Sequence, residues 1–365
     1  MLLWLLRSLA PAGEQSAPFL TLRIAAAAIL SFTAAVALGP FAIRWLRRRK
    51  IGERIDSPSE TLNQLHAGKK DTPTMGGLFV LAAVIAAALL CGDPSSGLLW
   101  LGLLAAFSFG VIGIVDDYTK LTTSRRGMSA RVKLLALTLV SINLGVGLTL
   151  LSTLPELGSG PADLEQLAVT WQVPTLSFML AGTLWRAFVL IASTNAVNLT
   201  DGLDGLAAGC VVCAGTALSA LAYLSGHRIM AAHLAIPHVI GAGELAVLGA
   251  AMVGATLGFL WFNASPAQVF MGDAGSLPLG GLLAFIALAI RQEWLLALIG
   301  GVFVAETLSV ILQVGSFKLT GRRIFACSPL HHHFQFRGMP ETRIVIRFWI
   351  VAALLAIAGM ATVLF

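Results

Sequence analysis

Residues 97–120 read GLLWLGLLAAFSFGVIGIVDDYTK, an uncharged run from Gly97 to Val115 that stops at Asp116-Asp117-Tyr118-Thr119-Lys120. A helix needs about 20 mostly apolar residues to cross the hydrocarbon core of a bilayer. The run therefore reads as a membrane span, and the paired carboxylates mark where it leaves the lipid. Nine further stretches have the same character, near 20–43, 74–91, 131–152, 174–192, 203–224, 240–260, 277–290, 294–315 and 343–364, of which 277–290 is the shortest. Hydrophobic residues make up 57% of the chain and charged residues 12%, about half the charge of an average soluble domain. The predicted fold is all-α: a polytopic integral membrane protein of about ten transmembrane helices. No internal repeat or low-complexity linker divides it, so residues 1–365 read as one domain.

Charge sets the orientation. If the first span runs from outside to inside, five loops face the cytoplasm. Of the 24 Lys and Arg residues, eight lie in 44–70, five in 116–133 and six in 316–347, whereas the opposite loop 153–173 carries Glu156, Asp163 and Glu165. The positive-inside rule then puts both termini in the periplasm, and the basic residues need no nucleic acid to explain them. The run Met1–Leu6 is too short for a signal peptide and lacks a basic flank before it, so it reads as an interfacial helix. Cys210 and Cys213 form a C-x-x-C inside a span, with no second pair. They read as small apolar helix residues, and no disulfide or zinc site is expected.

The chemistry lies in the inner loops. Adjacent carboxylates at a membrane boundary, Asp116 and Asp117, repel each other unless a cation or donor neutralises them. Taken alone they read equally well as a solvated helix end. Between spans five and six stands Asn195-Ala-Val-Asn198-Leu-Thr-Asp201-Gly202-Leu203-Asp204-Gly205. A spacing of three would gather Asn198, Asp201 and Asp204 on one helical turn, while Gly202 and Gly205 permit close backbone approach. A helix cap at Asp201 or Thr200 explains one of these residues but not the set. The segment Asn263–Ser276 adds Asn263, Phe270 and Asp273. It combines an amide, an aromatic and a carboxylate, although Asp273 could instead cap the next helix and Phe270 alone reads more as packing than as a base-stacking platform. Ser328-Pro-Leu-His331-His332-His333-Phe334 precedes the last span. Adjacent histidines lack the separated spacing of zinc ligands, and beside carboxylates they suit phosphate contact or the positioning of a carboxylate. Oxygen ligands on one membrane face favour Mg²⁺ held together with substrate phosphates, which is the requirement of phosphoryl transfer. Glu306 lies outside these groups, within span nine, where it should face a polar interior or another helix.

Five ordered motifs carry a resemblance: Thr72-Pro-Thr-Met-Gly-Gly77, Asp116-Asp-Tyr-Thr-Lys120, Asn198-Leu-Thr-Asp-Gly-Leu-Asp-Gly205, Phe270-Met-Gly-Asp273 and Pro329-Leu-His-His-His-Phe334. Together they resemble the polyprenyl-phosphate N-acetylhexosamine-1-phosphate transferase superfamily. The His triplet followed by Phe is similar to its phospho-N-acetylmuramoyl-pentapeptide transferase branch. The resemblance covers essentially the whole chain. It implies transfer from UDP-N-acetylmuramoyl-pentapeptide to undecaprenyl phosphate, with Mg²⁺, at the cytoplasmic face of the bacterial inner membrane, by a homodimer. It implies Asp273 as the Mg²⁺ ligand and Asp116, Asp117, Asp273, His331, His332 and His333 as catalytic residues. Lys69, Thr74, Lys120, Lys133, Asn195, Asn198, Asp201, Gly202, Leu203, Asp204, Asn263 and Phe270 would bind substrate. A sister transferase using UDP-N-acetylglucosamine is an alternative. So is a secondary transporter, although transporters place ionisable groups at the bilayer midplane within repeats, whereas here they cluster at span ends.

Overall fold

A computed structural model describes residues 19–49, 69, 72–122, 127–153 and 176–364. The interfacial helix expected at the N-terminus, the acidic outer loop and most of the first basic loop lie outside them. The described residues are α-helical, with no β-strand. Thirteen helices are described: α1 Leu20–Arg48, α2 Gly77–Cys91, α3 Gly97–Thr122, α4 Ala130–Thr153, α5 Leu176–Thr200, α6 Leu206–Gly226, α7 Arg228–His233, α8 Ala242–Asn263, α9 Asp273–Ala289, α10 Glu293–Ile299, α11 Gly301–Thr320, α12 Leu330–Phe336 and α13 Glu341–Leu364.

All ten expected apolar stretches are helical. Eight helices have the length and composition of a membrane span, and α2 and α9 are shorter. This is a multi-pass membrane protein. The outward faces carry Phe41, Trp45, Phe107, Leu135, Leu150, Leu354 and Ile357, all exposed, as lipid rather than water requires. The shortest stretch proves to be the centre of the molecule: every residue of α9 from Asp273 to Ala289 is buried, with α3 and α5 packed along it. A helix covered on all sides by protein need not match the bilayer. Nor is span nine one helix, because it breaks at Gly300 between α10 and α11.

One buried ion pair braces the end of the bundle at which α1 and α8 begin. Arg23 Nη2 donates to Glu244 Oε1 at 2.7 Å and Nη1 to Oε2 at 2.9 Å. Arg23 Nη1 also reaches Cys91 O at 3.3 Å, and Asp93 N–H donates to Glu244 Oε2 at 2.8 Å. The fork matches the carboxylate bidentately and ties α1, α8 and the end of α2 together.

Candidate active site

At the other end, α3 runs past its apolar stretch for two turns, so Asp116 and Asp117 stand on a helix rather than in a loop. They face the first turn of α9, which opens with Asp273. The approach is close because Gly113 has no side chain; a Cβ there would strike the carbonyl of Asp273. Gly272 precedes the helix at φ 70°, a left-handed conformation that favours glycine. The motif Thr72–Gly77 holds this corner by its backbone: Phe270 N–H donates to Pro73 O at 2.8 Å, Gly76 N–H to Phe270 O at 2.8 Å and Gly77 N–H to Met271 O at 2.9 Å. Thr74 is buried beside Gly272.

Oxygens of Asp116, Asp117 and Asp273 lie within 4.8 Å of one another, and all three residues are buried. Lys120, one turn on along α3, puts Nζ 3.0 Å from Asp116, 3.2 Å from Asp117 and 3.1 Å from Asp273. Lys133 at the start of α4 lies 3.3 Å from Asp116 and also pairs with Asp273. Neutral donors fill the remaining positions: Met128 N–H to Asp116 at 2.7 Å, Ala274 N–H to Asp117 at 2.9 Å and Asn198 Nδ2 to Asp273 at 2.7 Å. The same amide of Asn198 donates to Ser276 Oγ at 2.8 Å. Among the described residues, three carboxylates against two ammonium groups leave one negative charge in excess, the condition under which a cation is attracted.

The expected cluster of Asn198, Asp201 and Asp204 divides. Helix α5 continues to Thr200, which puts Asn195 and Asn198 on the helix and leaves residues 201–205 as a turn. Asn195 back-bonds to Ile191 O at 2.8 Å. Asp204 faces away from the trio: Lys69 Nζ bonds it at 2.7 Å and Glu341 Oε1 at 2.6 Å. Glu341 also accepts the N–H of Asp204 at 2.9 Å, and Ala267 N–H donates to the Asp204 carboxylate at 3.0 Å. Asn263 is buried with its amide spent on the backbone, accepting from Gly205 N–H at 3.0 Å and donating to Val269 O at 2.9 Å. Leu203 belongs to the core, and Phe270 is half-buried. The His triplet forms the short helix α12 rather than a loop. His332 Nδ1 lies 2.8 Å from Gln335 Oε1, His333 Nδ1 accepts Ala326 N–H at 3.1 Å, and His331 is buried. Sequence reading missed Ser276, Glu341 and Trp349, whose Nε1 donates to Gly205 O at 3.1 Å. Of these, Glu341 alone carried a signal, as an acid opening the last helix.

The Glycosyl transferase family 4 model matches residues 99–291, the stretch that runs from the start of α3 through α9. The phospho-N-acetylmuramoyl-pentapeptide-transferase signature 1 matches residues 69–81, the backbone corner at Thr74. A phospho-N-acetylmuramoyl-pentapeptide-transferase of Maridesulfovibrio salexigens is 44% identical over 94% of this chain and 93% of its own. The chain belongs to the phospho-N-acetylmuramoyl-pentapeptide-transferase family. A relative of the same name from Koribacter versatilis is 43% identical over 99% of both chains. In this transferase family member, the two matched regions meet where the Thr72–Gly77 backbone holds the start of α9.

Proposed function

We propose that the protein transfers phospho-N-acetylmuramoyl-pentapeptide from UDP to undecaprenyl phosphate, giving the lipid-linked pyrophosphate and UMP in peptidoglycan synthesis. The observation that carries this reading is the buried trio Asp116, Asp117 and Asp273, in contact with Lys120 and Lys133, at one end of a membrane bundle of this family. The all-oxygen donor set suits Mg²⁺, with Asp273 as a ligand and Asp116 or Asp117 beside it. Bound there, Mg²⁺ would supply charge neutralisation at the diphosphate. Lys120 and Lys133 would offset the remaining phosphate charge, and Asn198 would orient Asp273. Asp116 would take a residual proton from the acceptor. A phosphomonoester has its second pKa near 6, so the lipid phosphate is largely dianionic and asks little of a base. Its oxygen then attacks the β-phosphorus of the donor, the bond to the α-phosphate oxygen breaks, and UMP leaves. The turn 201–205, Lys69, Asn263 and Phe270 would form the nucleotide side of the site, and His332 and His333 would face the diphosphate or the sugar.

The same reading puts the site at the cytoplasmic face of the bacterial inner membrane with both termini outside, as the placement of basic residues supports. The homodimer rests on resemblance alone. An exchange assay in detergent tests the whole. Release of UMP that requires UDP-N-acetylmuramoyl-pentapeptide, undecaprenyl phosphate and Mg²⁺ is expected. Activity with UDP-N-acetylglucosamine alone would assign the sister reaction, and an acid-labile phosphosugar adduct trapped on Asp116 or Asp117 without acceptor would replace direct attack by a two-step route.

A further inference from the structure

Glu306 is fully buried in the second turn of α11, inside an apolar helix. A carboxylate at that depth is costly unless a partner compensates it. The partner is His331 of α12, which is also buried: its Nδ1 lies 3.2 Å from Glu306 Oε1, and its backbone N–H donates to the same oxygen at 3.2 Å. The far edge of the imidazole meets the turn that follows α5. A Cβ at Gly202 would collide with His331 Nε2, so the ring lies directly on the backbone of that turn. Among the described residues no hydrogen bond reaches Glu306 Oε2 or either ring nitrogen, so the approach of Nδ1 to Oε1 is a close contact without hydrogen-bond geometry. The imidazole thus lies between the Glu306 carboxylate and Gly202, with the His332 ring 4.2 Å from it between centroids.

We propose that Glu306 is a positioning residue whose carboxylate sets the ring orientation and tautomer of His331, and that His331 in turn seats the Asp201–Gly205 turn against the donor nucleotide. The inference rests on the transferase reading, from which the turn takes its ligand. A carboxylate facing Nδ1 keeps the proton on that nitrogen and presents Nε2 on the opposite edge, here toward Gly202. Partners that orient metal-ligating histidines contribute about 10- to 100-fold to activity, and the lower end of that scale is the expectation for a histidine that seats a turn. Because the turn contacts the nucleotide in ground and transition states alike, the loss falls on KM more than on kcat.

The test compares the full-length protein in detergent with Glu306→Gln, Glu306→Asp, Gly202→Ala and the Glu306→Gln/Gly202→Ala double variant, reading UMP affinity by calorimetry, donor KM, kcat and Tm. Glu306→Gln is expected to weaken UMP binding and raise donor KM about tenfold or more, with a smaller change in kcat and Tm within a few degrees. Glu306→Asp should restore part of the affinity. Gly202→Ala should raise donor KM by displacing the same ring, and the double variant should be no worse than the worse single one. Normal UMP binding in folded Glu306→Gln, or additive losses in the double variant, would overturn the proposal. If Glu306→Gln does not fold, unchanged donor KM in both Glu306→Asp and Gly202→Ala would do so. A wild-type protein that releases no UMP from any UDP-sugar removes the transferase reading itself, whereas an active wild type with an indifferent Glu306 removes this inference only.

Discussion

Two buried charge clusters occupy opposite ends of the bundle, and they differ in stoichiometry. Arg23 and Glu244 match one to one, the guanidinium fork closing on the carboxylate at 2.7 and 2.9 Å. At the other end, among the described residues, three carboxylates share two lysines, and every distance to Lys120 is 3.0 Å or more. The first arrangement is balanced in charge and fastens helices. The second is an unbalanced assembly of groups that substrate charge can rearrange. Burial and ionic character are common to both, so neither marks a site; the imbalance does.

The contrast breaks first at Asp273. Asp273→Asn removes the excess charge and should lower turnover about 10²- to 10³-fold or more at saturating Mg²⁺, with Tm retained; normal turnover in the exchange assay would dissolve the metal assignment. Arg23→Met leaves Glu244 buried without its ion-pair partner, and should cost about 3–5 kcal/mol of stability in a detergent unfolding titration, with donor KM unchanged. Adding Glu244→Leu to it should recover most of that loss, since apolar replacements of a buried pair are often neutral; failure to recover would mean the pair does more than fasten helices. The smallest effect belongs to Glu341→Gln. It keeps an acceptor for Lys69 and for Asp204 N–H but loses the charge, and should raise donor KM several-fold, less than the ~1.5–3 kcal/mol of a full charge-assisted hydrogen bond.

The helices were legible because a bilayer demands long apolar runs, and the run ending at Val115 announced the site by stopping at two acids. Helix ends were not. A helix that is apolar all round has no face to read, so the continuation of α5 to Thr200 was invisible, and with it the separation of Asn198 from Asp204. Local pattern left Asp116 and Asp117 equally readable as a solvated helix end and Asp273 as a helix cap, and the resemblance supplied their roles. What joined them was not legible, because Gly113 meets the carbonyl of Asp273 across 160 positions of chain, and Glu306 meets His331 across a helix end and a loop. The motif at Thr72–Gly77 was recognisable by resemblance although it holds little chemistry of its own. Its backbone carbonyl and N–H groups do the work, and those leave no trace in side-chain identity.

Helix α9 carries a consequence for how the protein is made. Its 17 residues span about 25 Å at 1.5 Å each, short of a hydrocarbon core of about 30 Å, and they include Asp273, Ser276 and Pro278. Emerging from the ribosome alone, such a segment would be held poorly by lipid. Its walls, α3 and α5, are synthesised earlier and α8 immediately before it. Chain order thus delivers the least lipid-compatible helix to a cleft already lined with protein, and the acidic trio is completed only when that late arrival docks.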